Sequence, residues 1–263
     1  MASISVIFTC RGRPHLTELC LRRFLELMKH PFELILVYDG QDFDYIDFLL
    51  DIYPFEHIIM NPGRRKNRFA LINRGLDAAT GDYFMHLEND FYWDNPDCID
   101  EALIAFEKVP DLDYVRLEFL PFNEQDCREG VKLKNDTLCV YKEDRPRFQF
   151  TFNPHLRKTK FPIGRFLEVP IPNKQPEGVF ADMYRETGRQ SGCLMGENFR
   201  HIGIYAEQGY YKPYYTNRMT LRRDPISEEL FKTFKPMEEF KKFCSNPNYI
   251  ELFRRHLNAH KED

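Results

Sequence analysis

Two carboxylates, Glu88 and Asp90, close the stretch GDYFMHLEND with only Asn89 between them. Acids one residue apart at the end of an apolar run can hold a hard divalent cation through oxygen, and a cation so held neutralises a diphosphate. The same pair also reads as solvated acids in a turn, with Asp90 or Asn95 capping the helix that follows. Polar groups recur where other apolar runs end: Thr9 with Arg11 and Arg13 after ISVIFTC, Asp39 after FELILVY, and the basic run RRKNR, containing Arg65 and Arg68, after FEHIIM.

The elements that must position these groups alternate. β-Branched and apolar runs at 4–10, 32–40, 55–60 and 83–88 read as strands, and amphipathic segments at 15–28, 44–53 and 68–80 read as helices, the last ended by Gly81. Continuous apolar strands separated by helices predict a parallel sheet covered on both faces. Ligands of such sheets sit beyond the carboxyl ends of the strands, so four strand ends deliver their polar groups to one edge. That arrangement suits a nucleotide or nucleotide-sugar: base and ribose over the first strands, phosphates and a metal over the later one.

Beyond residue 120 the pattern changes. DTLCVYKE and RFQFTFNPHL suggest antiparallel strands, PEGVFADMYRETG a helix, and CLMGENFRHIGIY one or two strands. The loop 206–224 interleaves Lys212, Arg218, Arg222 and Arg223 with Tyr210, Tyr211, Tyr214 and Tyr215, which suits a lid closing on a diphosphate. Two amphipathic helices follow, at 226–243 and 247–260. In FNPHLRKTKF, the cations Arg157, Lys158 and Lys160 either line an acceptor groove or form a solvated face. No repeat or Gly/Ser linker divides the chain, which reads as a single domain, 1–263, with a nucleotide-sugar lobe over 1–120 and an acceptor lobe over 121–263.

Composition bounds the partners. The 263 residues are 43% hydrophobic and 15% aromatic, enough for a sizeable core, and the formal charge of −4 argues against nucleic acid. Seven cysteines without CxxC spacing suggest free thiols in a reducing compartment. The amino-terminal apolar run is too short for a signal peptide and no window reaches transmembrane length, so a cytoplasmic protein is expected.

These segments together resemble the GT-A fold glycosyltransferases, family 2 in particular. That family opens with a pattern near S-V-I-x-x-x-x-N-R-P-x-x-L, and this chain has SVIFTCRGRPHL, with Arg13, Pro14 and Leu16 in place. The family's V-V-D-D-G-S corresponds to LVYDGQ, which keeps Asp39 and Gly40 but has Tyr38 where an acid is usual. A third block corresponds to LINRGLDAATGDYFMHLEND, matching Asn73, Gly75, Ala79, Gly81, Tyr83 and Leu87.

The resemblance implies an α/β fold of GT-A type: a Rossmann-like, mainly parallel sheet flanked by helices, with a smaller antiparallel acceptor-side region and C-terminal helices. It implies Mn²⁺ or Mg²⁺ at Glu88-Asn89-Asp90, with Asp90 a direct ligand and Glu88 a water-mediated or ribose contact. It further implies a nucleoside-diphosphate sugar donor, a glycan or glycoconjugate acceptor, and inversion at the anomeric carbon. Glu177, eleven residues before Gly188, takes the place of the general base, and His201, thirteen residues after that glycine, the place of a third metal ligand. Because Gly178 rather than a second acid follows Glu177, Asp182 and Glu197 stay in contention for the base. A nucleotidyltransferase acting on sugar phosphates and an inactive sugar-nucleotide-binding protein remain alternatives; the first usually shows a Gly-rich loop after its first strand, where TCRGRP has one glycine.

Overall fold

The computed structural model describes residues 2–11, 14–40, 43–60, 68–117, 127–142, 150–159, 176–196 and 198–201. The expected lid at 206–224, with Lys212 and Arg218, and the two C-terminal helices lie outside these residues, as do Arg13, Arg65 and Glu197.

The first half follows the alternation of the sequence. Strands β1 (Ile4–Cys10), β2 (Phe32–Tyr38), β3 (His57–Met60) and β4 (Tyr83–Glu88) are separated by helices α1 (Pro14–Leu27), α2 (Phe43–Ile52) and α3 (Arg68–Ala78). β1 lies parallel between β2 and β4, and β3 extends the parallel set beyond β2. After β4 come β5 (Phe91–Trp93), α4 (Cys98–Lys108), β6 (Leu112–Arg116), β7 (Cys127–Lys132), β8 (Thr137–Tyr141), β9 (His155–Lys158), α5 (Pro176–Glu186), β10 (Gln190–Leu194) and β11 (Phe199–His201). The nine-stranded sheet has the order β3-β2-β1-β4-β9-β6-β10-β8-β7, and β11 pairs with β5 in a small antiparallel ribbon.

β9 runs antiparallel to both β4 and β6, so the chain's parallel direction resumes in β6 and β10 on its far side. Among the described residues of RFQFTFNPHL the strand begins at His155, and Phe150 and Phe152 fill an aromatic cluster with Phe69, Tyr114, Phe180 and Tyr184. The cations Arg157 and Lys158 are not a solvated face. Arg157 is 3% exposed with its guanidinium 4.6 Å above the Phe84 ring, and Lys158 reaches the buried Asp113 carboxylate at 3.2 Å.

Alternation along the strands gives the sheet two distinct faces. Val6, Phe8, Leu34, Leu36, Met85 and Leu87 pack with Leu21 and Phe24 of α1, Leu49 of α2 and Ile99 and Ala102 of α4. Each such fully buried side chain stabilises the fold by about 1.5–3 kcal/mol relative to exposure. On the opposite face Ile7, Ile35, Val37 and Phe84 meet Leu71 of α3. Further along that face the row turns polar: His86, His155 and Arg116 are register neighbours on β4, β9 and β6, and all three are buried.

The edge away from the strand ends of interest is stapled by one acid. Glu33 accepts from the Ser5 hydroxyl, from Thr80 through N–H and hydroxyl, and from Gly81 N–H. Gly81 must be glycine, since a Cβ there would lie 2.7 Å from Ser5 N. Partial desolvation works to raise the Glu33 pKa, but the hydrogen bonds from Ser5, Thr80 and Gly81 outweigh it and leave the group below its ordinary value of 4.5. A carboxylate lowered on folding stabilises above its unfolded pKa, and that stability is lost as pH falls through the folded value. Glu33→Gln keeps the shape but not the charge. Its thermal midpoint is expected below that of the parent near neutral pH, with the gap closing as pH falls below the ordinary value of 4.5 and through the lowered folded one; a gap independent of pH would refute this role for the charge.

Candidate active site at the carboxyl edge of the sheet

The site is built on the last rungs of β1, β2 and β4. Thr9 is the register partner of Glu88 on β4 and of Val37 on β2. The β1–β2 ladder runs one residue past Tyr38, with Asp39 N–H donating to Cys10 O at 3.0 Å. Alternation then puts Asp39 on the Thr9 face. Thr9, Asp39 and Glu88 are each partly exposed, and Arg11 is exposed just beyond them.

Tyr38 explains the departure from the usual acid at its position. It is fully buried with the α1, α2 and α4 core, and its ring lies so close to Gly40 that a Cβ there would fall 2.3 Å away. The position is filled by packing, which leaves Asp39 as the acid that the β2 end presents.

The strand does not stay extended through the pair: β4 ends at Glu88, and Asn89 and Asp90 form a turn into β5. Asn89 makes that turn. Its N–H donates to Thr9 O at 3.1 Å, its Nδ2 donates to the buried Thr17 hydroxyl on α1 at 2.9 Å, and its carbonyl accepts from Cys20 Sγ at 3.2 Å. The Asn89 side chain, 5% exposed, thus points to α1 rather than to a ligand at the edge. These bonds hold the turn between Glu88 and Asp90 in place, and Asp90 comes to rest at 9% exposure.

Neither Asp90 nor Asn95 caps α4 as the turn reading had it. The N-cap residue is Asp97, which makes no side-chain cap bond; Asn95 instead accepts from Asp97 N–H at 3.0 Å through its side chain. The β5–β11 pairing sets His201 opposite Phe91, the residue after Asp90. The backbone therefore brings a histidine position beside the acidic turn across more than a hundred residues of sequence.

α5 carries the expected base at its start. The helix leads through Gly188, at φ 68°, into β10, and a helix packed on a sheet before a parallel strand runs opposite to that strand. Its first turn, with the Glu177 position, thus lies toward the carboxyl-end edge of the parallel strands. Phe180 anchors it against Phe150 and Phe152 at 5.6 and 6.0 Å between ring centroids. Asp182 lies farther along, its carboxylate 41% exposed and 3.6 Å from Arg185. Arg68 opens α3 at the same edge.

Beneath this surface lie polar groups that the sequence reading passed over. His86 Nδ1 is 2.5 Å from Phe152 O, and its Nε2 is 3.3 Å from Thr9 Oγ1. The Tyr114 hydroxyl donates to Thr151 O at 2.9 Å and accepts from Thr151 N–H at 3.2 Å. His155 bonds Asn153 O through Nδ1 at 2.8 Å, and burial, with the nearby His86 and Arg157, holds its pKa well below the ordinary value. One signal was available: His86 sits two residues before Glu88, on the same face of an otherwise apolar strand.

Carboxylate oxygens such as those of Glu88 and Asp90, with an imidazole from the neighbouring His201 position, are the donor types that Mn²⁺ takes and, with fewer protein ligands, Mg²⁺. Among the described residues no three His, Cys, Asp or Glu side chains already form a metal cluster.

Comparison with known proteins bears on the fold. Residues 5–121 match the family described as Glycosyl transferase family 2. A comparison with curated proteins found no match. Among solved structures, S. aureus TarS 1-349 is similar with a TM-score of 0.53 at 14% identity, over 75% of this chain and 59% of that one. TarS 1-349 in complex with UDP-GlcNAc gives 0.54 at 13% identity, over 81% and 62%. The mannosyltransferase PcManGT from Pyrobaculum calidifontis, in complex with GDP-Man and Mn²⁺, gives 0.54 at 15% identity, over 72% and 53%. At these identities the likeness is one of fold, the GT-A fold, and this chain spans under two thirds of the length of these structures.

The Thr17–Asn89 bond is a testable part of the site. Thr17→Val keeps the volume but leaves a buried amide donor without its partner, which costs about 1–3 kcal/mol. Urea unfolding is expected to show that loss, and an unchanged midpoint would mean that the turn does not depend on α1.

Proposed function

We propose, from a glycosyl transferase family 2 sequence spanning residues 5–121 on a GT-A fold, that the protein transfers a sugar from a nucleoside-diphosphate donor to a hydroxyl of a glycan or glycoconjugate, inverting the anomeric carbon. The observation that carries this reading is the edge itself: Thr9 opposite Glu88, Asp39 on the next strand end, and Asp90 in the turn beyond. A dinucleotide or sugar-nucleotide crevice of an open parallel sheet lies at such an edge. The complexes of TarS with UDP-GlcNAc and of PcManGT with GDP-Man support a nucleotide-sugar donor.

Within it the roles divide by charge. Asp39 and Thr9 face the nucleobase, and a carboxylate accepting from a ring N–H favours uracil, hence a UDP-sugar. Arg11 and Arg13, with Arg65 and Arg68 after β3, supply cations for donor phosphates, and Lys212 and Arg218 close over the diphosphate from the lid segment. Asp90, with His201 and Glu88, would hold Mn²⁺ or Mg²⁺, and Glu88 also lies within the region of the ribose. Such a cation, when bound, stabilises negative charge on the departing diphosphate; the PcManGT complex contains Mn²⁺.

Glu177 takes the acceptor proton. At the start of a helix its ionised form is favoured by the amide dipoles, and the displacement at the anomeric carbon needs a base on the side opposite the leaving group. Asp182, exposed and beside Arg185, is the weaker candidate. The six described cysteines are free thiols, which supports a reducing, cytoplasmic setting, and no helix among the described residues is long and apolar enough to cross a membrane.

The test is incubation with a panel of UDP- and GDP-sugars and Mn²⁺, reading donor hydrolysis and transfer by mass spectrometry. Turnover is expected with at least one donor and is expected to disappear in Asp90→Ala. With pyrophosphate added, conversion of the donor into sugar phosphate and nucleoside triphosphate would instead mark a nucleotidyltransferase, and donor binding without turnover an inactive binder. For the base, Glu177→Gln is expected to slow transfer about a hundredfold while donor affinity holds, and Asp182→Asn to be mild. The reverse order would move the role to Asp182, and two mild variants would move it to Glu197.

A further inference from the structure

We infer that His86, which is too deep to touch a donor, sets the polarity of the Thr9 hydroxyl and thereby selects a nucleobase that carries a ring N–H. The inference rests on the donor reading above, since it takes Thr9 to line the base pocket. A carbonyl oxygen only accepts, so the His86 nitrogen facing Phe152 O, Nδ1, carries the ring proton. In the neutral ring Nε2 then has a lone pair, and the Thr9 hydroxyl 3.3 Å away donates to it. With its one proton directed down into the sheet, Thr9 Oγ1 offers only lone pairs to the edge.

His86 is 1% exposed and flanked in register by Ile7 and His155, while Thr9 is partly exposed. The hydroxyl is therefore wired from the inside and read from the outside. Asp39 on the adjacent strand end is likewise an acceptor. Two acceptors at the ends of β1 and β2 complement the ring N–H of uracil or guanine. They oppose the bare ring nitrogen that cytosine or adenine presents at the equivalent position, because a site built to accept leaves both sides without a proton to share. The bond to Phe152 O also makes His86 the link between this pocket and the aromatic cluster that seats α5.

Calorimetric titration with UDP, CDP, GDP and ADP in the presence of Mn²⁺ tests the idea on the full chain. The readout is the UDP/CDP and GDP/ADP affinity ratio, which a general loss of fold would not move selectively. At least one ratio is expected to be about tenfold or more in the parent, the equivalent of roughly one well-placed hydrogen bond. His86→Asn retains an amide donor for Phe152 O but removes the acceptor below Thr9, and is expected to bring that ratio near unity. His86→Gln restores an acceptor near Nε2 and is expected to recover it. Thr9→Val should match His86→Asn, and the double variant should lose no more than either alone. In ¹⁵N spectra the His86 Nε2 resonance is expected in the range of an unprotonated nitrogen. A full ratio in His86→Asn alongside a lost ratio in Thr9→Val would overturn the inference while leaving the donor site intact, as would a protonated Nε2 or a parent ratio of unity. A full ratio in Thr9→Val would instead overturn the placement of the base beside Thr9.

Discussion

The hydrogen bond from Asn89 N–H to Thr9 O, 3.1 Å long, is the rung on which the site depends. It is the last connection between β1 and β4, and it sits where two central strands stop being a sheet and become a binding edge. A parallel ladder fixes which residues end level with one another, so this rung makes Thr9 and Glu88 neighbours although 79 positions apart in number. The side chain of the same asparagine then turns the chain onto α1. Backbone pairing sets the level of the edge, and the Thr17 contact sets the direction in which Asp90 leaves it.

What the sequence made legible follows from period and position. The four parallel strands and three helices of the first half are apolar runs and amphipathic segments of ordinary length, and their carboxyl ends carry the polar residues that reach the edge. The likeness of residues 5–121 to family 2 glycosyltransferases lies in the same segments. Asn89 was readable as a member of an acidic motif but not as a tether, because nothing local to NDFYWD says that Thr17 waits beside it. His86 was hidden for a similar reason. A single histidine in an apolar strand has no pattern, and its partner Phe152 O arrives from a segment 66 residues away.

The second half was harder because its strands are short and their pairing is non-local. β5, β6 and β7 were not distinguished in the sequence, and β9 starts later than its aromatic run suggests. Phe150 and Phe152 look like alternating strand residues, yet both pack into the cluster under α5, where each is nearly fully buried. Arg157 shows the same override of pattern: a cation in a basic run is buried over Phe84, and burial lowers its pKa to about 9.

β9 is also the seam of the sheet. It is a four-residue strand, and among the described residues it alone joins the β3-β2-β1-β4 half of the sheet to the β6-β10-β8-β7 half through backbone pairing. Strain that arises beyond that seam reaches the ladder of β1 with β4 through the backbone pairing of these four residues, so the edge at Thr9 and Glu88 is held by the first half of the sheet.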